Sequence, residues 1–193
     1  MEFYKYTEEK TFAKENFREN RLPVGEYENC SFENCDFSET DLSEMKFTDC
    51  DFDDCNLSLV KLVKTAFRNV RFVNCKMLGL EFENCSEFGL SFSFENCVLN
   101  HSSFYGTKLK KTIFNGTQLR ETDFTECDLT EAVFKDCDLG GATFAKTVLE
   151  KADFTAARNY SIDPESNRLR KARFSMPEIV GLLHKYEIEI SPE

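Results

Sequence analysis

The residues best suited to chemistry are nine cysteines, two histidines and several adjacent carboxylates. Cys30/Cys35 and Cys50/Cys55 are pairs with four residues between the partners. Thiolates at such spacing bind metal if their side chains converge on one point. They form disulfides if their Cα atoms lie within about 7 Å. Asp53-Asp54 is the kind of pair that performs general acid–base work in a cleft. His101 and His184, however, have no serine or cysteine nucleophile arranged with them in sequence, and no glycine-rich phosphate loop occurs. The chemistry therefore depends on what positions the thiols and the carboxylates.

That element is a repeat of five. Phe12, Phe17, Leu22, Tyr27, Phe32, Phe37, Leu42, Phe47, Phe52, Leu57, Leu62, Phe67, Phe72, Met77 and Phe82 are evenly spaced. A second series continues from Phe94 through Leu99, Phe104, Leu109 and Phe114 to Phe154. Two residues before most of these stands a small residue, and all nine cysteines occupy that position. A period of five fits neither a helix nor a flat strand. It fits a chain that turns a corner every five residues and sends one large and one small side chain inward on each leg. Four legs close a square coil of 20 residues, and successive coils stack about 4.8 Å apart. Cysteines on such walls are packing residues, small and apolar, so no metal site or cofactor is expected and the thiols should be free.

The stacking makes a register prediction. Residues 32, 52 and 72 are Phe, and so are 114, 134 and 154. The two series differ in phase by two residues across 83–93. If two residues bulge outward near Ser86–Phe92, Phe94 lies over Phe72 and one phenylalanine column runs from Phe12 to Phe154. The Leu57 column then continues through Met77, Leu99, Leu119 and Leu139.

The segments TDLSE, CDFDD, TDFTE, CDLTE, CDLGG and ADFTA follow the consensus A(D/N)LXX. Over residues 12–156 the chain closely resembles the pentapeptide-repeat family. The resemblance implies an all-β fold, a right-handed quadrilateral parallel β-helix. Only 4 Pro occur in 193 residues, as expected where strand amides donate between coils. Residues 1–11 read as an N-terminal cap and 157–193 as a C-terminal module. Ser175-Met176-Pro177-Glu178 has the form of a capping box with an early proline, so a short α-helix is expected over about 176–185. Its apolar face would be Met176, Ile179, Val180, Leu182, Leu183 and Tyr186. Glu187–Ile190 alternates and is expected to add a final strand. The tail resembles that of the topoisomerase-protecting Qnr, MfpA and McbG group, which implies a homodimer through this face; a simple cap over the last coil is the other reading.

Composition bounds the rest. The net charge is −11, which disfavours a direct nucleic-acid binder. No apolar run is long enough to span a membrane and the start lacks a signal-peptide pattern, so a soluble cytoplasmic protein is expected. Residues 26–55 hold eleven acids and one base, and 61–76 hold five bases and no acid. Because coil order is axial order, the charges form bands. Outside the phenylalanine column lie Glu33, Asp51, Asp53, Asp54, Glu95, Asp136 and Asp153, with Arg71 and Lys135 opposed, a net of −5. Asp36 and Asp41 extend the acid from the same coils. This face is the expected partner surface. An enzyme is not expected. The resemblance implies a DNA mimic that occupies the DNA groove of type II topoisomerase (DNA gyrase or topoisomerase IV) and protects it from fluoroquinolones, an antibiotic-resistance role. The alternative is a repeat scaffold for another protein.

Overall fold

The five-residue leg forms because most corner residues reverse direction in a left-handed conformation, two positions after a large inward side chain. Residues such as Asn34, Asp54, Glu121, Asp136 and Lys151 have φ between 50° and 61° there. A computed structural model describes residues 4–191. The chain winds as a parallel β-solenoid. Nine strands stack on the phenylalanine face in the order Arg173–Phe174, Asp153–Phe154, Val133–Lys135, Ile113–Asn115, Phe92–Glu95, Val70–Val73, Asp51–Asp53, Ser31–Glu33 and Thr11–Ala13. A four-stranded sheet (Lys5–Glu8, Gly25–Glu28, Lys46–Thr48, Ala66–Arg68) forms the upper part of the fourth face. Parallel bridges such as Asp36↔Asn56↔Lys76 join the second face, and Glu81↔Ser103↔Asp123 the third. The coil thus extends beyond the 12–156 of the sequence pattern, to Lys5 at one end and Phe174 at the other.

The register is the one the sequence requires. Ser31 pairs with Asp51 and Phe32 with Phe52 at an offset of 20; Phe72 pairs with Phe94 at 22. The phenylalanine column runs from Phe12 to Phe174 with ring centroids 4.6 to 5.4 Å apart. Other aromatics meet it edge-on. Tyr27, Phe47 and Phe67 do so from the fourth face. Beyond the insertion, Phe82, Phe104 and Phe124 do so from the third. Edge-to-face pairs of this kind add about 0.5–1.5 kcal/mol each beyond burial.

The insertion is the loop Ser86–Ser91. It interrupts the sheet of the fourth face after Ala66–Arg68; Gly89, at φ 72°, is exposed beside Arg68, and the half-buried Leu90 is left as the loop's apolar contact with the core. Phe92 compensates. It stands in the small-residue column, paired with Val70, and its ring lies 5.3 Å from Phe82 and 5.0 Å from Phe94.

The small position has a second requirement, hidden in the sequence. Its thiols and hydroxyls donate to the carbonyl 23 residues earlier: Cys50 to Tyr27, Cys55 to Phe32, Cys137 to Phe114, Thr65 to Leu42 and Thr147 to Phe124. All nine cysteines are free and buried. Burial pushes the thiols of Cys50, Cys127 and Cys137 up to about 12. Because all nine thiols are buried, iodoacetamide is expected to leave the native protein unmodified and to label nine sites after denaturation, read by intact mass.

Leu59 breaks the corner rule. Of the 24 non-glycine residues at positive φ among the described residues, it is the only apolar one. Leu59→Asn is expected to raise stability by about 0.5–1 kcal/mol, measured by urea unfolding, because asparagine tolerates this conformation better.

The tail corrects two expectations. Residues 176–185 form no α-helix; Ile179–Leu182 and His184–Tyr186 are separate 3₁₀ turns. The Gly181 carbonyl, which a helix would give to the residue four ahead, instead accepts from the Ile162 amide at 3.0 Å. Gly181 is pressed on the last coil so closely that a Cβ would overlap the Tyr160 carbonyl oxygen. The capping box does not form either: Glu178 accepts from the Asn159 amide at 3.0 Å. Glu187, at φ 50°, turns the chain away, and Glu187–Ile190 forms no strand. The opposite end is blunted by charge, with Lys10 lying 4.5 Å over the Phe12 ring.

Candidate functional site

The interior is filled, so any site lies on the outer surface. The expected acids divide into two groups there. The aspartate that precedes each large residue is a turn-forming group. Asp36 accepts from the amide and hydroxyl of Ser38, and Asp41 accepts from the Ser43 amide. Asp153 accepts from Thr155 and pairs with Arg173 at 3.0 Å. Asp51 is paired with Arg71 at 2.9 Å. Asp36 and Asp41 are held by their own coil, Asp51 by the arginine of the next coil, and Asp153 by both. Glu33, Asp53, Asp54, Glu95 and Asp136 are exposed. Glu33, Asp53 and Glu95 lie in one column with Val73 between the last two. Asp54 stands at the adjoining corner, and Asp136 is set apart beside Lys135.

The end coils alter the charge count. Lys14 and Arg173 join Arg71 and Lys135 on this face, leaving seven carboxylates against four bases, −3 rather than −5. The third face, with eight carboxylates and four bases, is at least as acidic, but Lys61 and Lys64 split its acids into separated pairs. The phenylalanine face is interrupted too, by Arg71 and Val73, but it gathers Glu33, Asp53 and Asp54 on two adjacent rungs. The acid also wraps onto the fourth face, where Glu8 pairs across the sheet with Glu28, next to Glu9 and Asp49. The Tyr6 phenol donates to Glu28 at 2.8 Å, and this hydrogen bond, with Glu8 nearby, pushes it up to about 12. This flank lies outside the face expected from the sequence, although the 20-residue spacing of Glu8 and Glu28 carried the signal.

The deepest charge is structural. The Asp138 side chain, 6% exposed, is held by Arg120 at 2.8 and 2.6 Å, Asn159 at 2.9 Å and the Gly140 amide at 3.2 Å. Burial raises its pKa, but the hydrogen bonds from Asn159, Arg120 and Gly140 outweigh burial and hold it below the usual carboxylate range. A depressed carboxylate stabilises the fold above its unfolded pKa of about 3.9, and that contribution is lost as pH falls through the lower folded value. Asp138→Asn is expected to flatten the fall of the melting temperature below about pH 4; an unchanged profile would refute this role.

The chemistry considered for catalysis is not assembled. Among the described residues no group of three or more His, Cys, Asp or Glu could hold a metal. His101 meets only Glu121, at 3.2 Å on the surface. A hollow of about 80 Å³ beside the insertion is lined by Glu83, Cys85, Glu87, Tyr105 and Lys108, where burial pushes the Cys85 thiol up to about 12, away from a nucleophile. No helix among the described residues is long and apolar enough to cross a membrane.

The expected dimer residues are divided as well. Met176, Ile179 and Tyr186 are exposed, Met176 at 80%. Val180, Leu182 and Leu183 are half-buried, with Leu182 packed on the core. Ile188 and Ile190 add exposed apolar surface.

Residues 26–93 and 86–159 each match the pentapeptide repeat region family. The chain belongs to the pentapeptide-repeat family. Among solved pentapeptide-repeat coils it is similar to QnrB1, described as a plasmid-mediated fluoroquinolone resistance protein. Identity is 22% over 97% of this chain and 100% of that one, with a TM-score of 0.46. It is similar also to HetL, involved in heterocyst differentiation regulation in the cyanobacterium Nostoc. There identity is 16% over 89% of this chain and 86% of that one, with a TM-score of 0.48. At these identities the roles of those pentapeptide-repeat proteins remain their own. No curated protein matches the chain.

Proposed function

We propose that this pentapeptide-repeat protein acts by binding and not by catalysis, as a DNA mimic for the basic groove of a type II topoisomerase such as DNA gyrase. The observation that carries the reading is the run Glu33, Asp53, Asp54 and Glu95. These carboxylates are exposed and free of ion pairs among the described residues, with Glu33 and Asp53 on adjacent rungs and Glu95 two rungs beyond Asp53. Adjacent rungs stand about 4.8 Å apart, the same order as the roughly 3.4 Å per phosphate along one DNA strand. Nine rungs give a rod of roughly 40 Å. Occupying the groove would compete with DNA and so relieve poisons, such as fluoroquinolones, that need the DNA-bound enzyme. The exposed tail residues Met176, Ile179, Tyr186, Ile188 and Ile190 supply a tail-to-tail dimer contact, which sets the acid bands toward the two outer ends.

The test is supercoiling by purified gyrase, with and without ciprofloxacin. Glu33→Lys, Asp53→Lys, Asp54→Lys and Glu95→Lys combined should weaken inhibition or protection at least about tenfold, because rim charges set steering and register. Asp153→Asn, at a carboxylate already paired, should change it less than about twofold. Absence of inhibition, protection and binding by the unaltered protein at micromolar concentration would end the topoisomerase reading. The alternating sign of the bands would then favour a scaffold for a protein with matching bands.

A further inference from the structure

The second face departs from the rest of the coil. Its left-handed corner column reads Glu39, Leu59, Gly79 and His101 down the rod. Leu59 is 60% exposed and sits in the left-handed region that every other non-glycine corner gives to a polar residue. Its Cδ2 occupies the space at Gly79, 2.9 Å from where a Cβ would stand, so a missing side chain below seats the leucine. Leu78 and Val98 continue the half-exposed apolar surface on the next two rungs. The Gly79 contact leaves most of the leucine uncovered, and such local rule-breaking concentrates at functional surfaces.

The charges around Leu59 are placed symmetrically. Asp36, Asn56 and Lys76 form one column through successive bridges. Asp36 is therefore one coil above the Asn56–Leu59 rung and Lys76 one coil below. Lys76 has no carboxylate within ion-pair distance among the described residues, and Asp36 uses Oδ1 for its turn, leaving Oδ2 unassigned. Opposite charges equidistant from an apolar centre are what a two-fold contact requires, since the same patch must complement itself. A foreign partner would impose no such symmetry.

We propose that the second face is a self-association surface on which two copies pack side by side and antiparallel about Leu59. Rotation about an axis lying across the Asn56–Leu59 rung sets Leu59 against Leu59 of the second copy. It sets Asp36 against Lys76 and Lys76 against Asp36. The centre is apolar and poor in charge, as interface cores are. The contact spans about four coils, roughly 20 Å of rod. It is smaller than the standard interface of about 800 Å² per partner, so it is weak and salt-sensitive. It lies at the other end of the rod from the tail contact and operates independently of it.

Sedimentation velocity on the full chain tests this, with Met176→Glu and Ile188→Glu present to silence the tail. At low salt, and up to about 200 µM, reversible association to twice the mass is expected. Leu59→Asn should weaken it at least about tenfold. Lys76→Glu and Asp36→Lys should each be monomeric alone, because like charges then meet twice. Mixed in equal amounts they should associate, since both pairs are restored. Circular dichroism checks that Asp36→Lys, which loses its turn bond, retains the fold. Monomer throughout the range for the parent, unweakened association of Leu59→Asn, or failure of the mixture to associate would each overturn the proposal.

Discussion

Phe114→Ala is expected to cost about 4 kcal/mol and to lower the melting temperature by about 10 °C. The ring is fully buried. It stacks between Phe94 at 5.3 Å and Phe134 at 5.0 Å, and meets Phe104 and Phe124 edge-on at 6.1 and 6.0 Å. Removal forfeits burial and the aromatic contacts, and leaves a cavity that stacked coils cannot close. A coil cannot slide inward, because its height is fixed by hydrogen bonds to both neighbours, such as Val133 to the Thr112 carbonyl at 3.0 Å. Chemical unfolding followed by circular dichroism measures the loss. Phe88→Ala is the control: that side chain is 79% exposed, so its loss should stay below about 0.5 kcal/mol. A cost for Phe114→Ala below about 1 kcal/mol would mean that the column is not the core.

Phe92→Ala should cost about 3 kcal/mol, although Phe92 occupies a column where Thr112 and Ala132 serve on later coils. The reason is the insertion, where only the half-buried Leu90 stands in for the fully buried large residue of other legs. Phe92 completes the packing from the neighbouring position, against Phe82, Phe94 and Phe104. Val70→Ala, one coil earlier in the same column but beside an intact Phe67, should cost only about 1–1.5 kcal/mol. Amide exchange should localise the Phe92→Ala effect to the coils flanking the insertion, because a solenoid's interactions are between neighbours. Equal costs for the two substitutions would remove the compensation account.

The coil itself was legible because its inward positions carry a strict period. Side chains that repeat every five residues have one way to share an interior, and the column from Phe12 to Phe154 fixed both the register and the two-residue insertion. The candidate surface was half legible. Glu33, Asp53, Asp54 and Glu95 fall where the 20-residue stacking puts them, but the turn roles of Asp36, Asp41 and Asp153 were not separable from exposure. A carboxylate one residue before a large side chain reads the same whether it faces a partner or caps its own turn. The tail carried no period, and local helix signals in Ser175–Glu178 yielded to the tertiary demand of Ile162 for the Gly181 carbonyl.

The sequence by itself determined the five-residue leg, the square coil, the stacking and the axial banding of charge, since each follows from the identity of residues at fixed spacing. The tertiary structure alone decided which carboxylates remain free, which tail residues are left uncovered, and that Leu59 stands exposed in a strained corner between Asp36 and Lys76. Those outcomes depend on hydrogen bonds and backbone angles set by neighbouring coils, and the identity of a residue does not encode which of its possible partners the fold brings near.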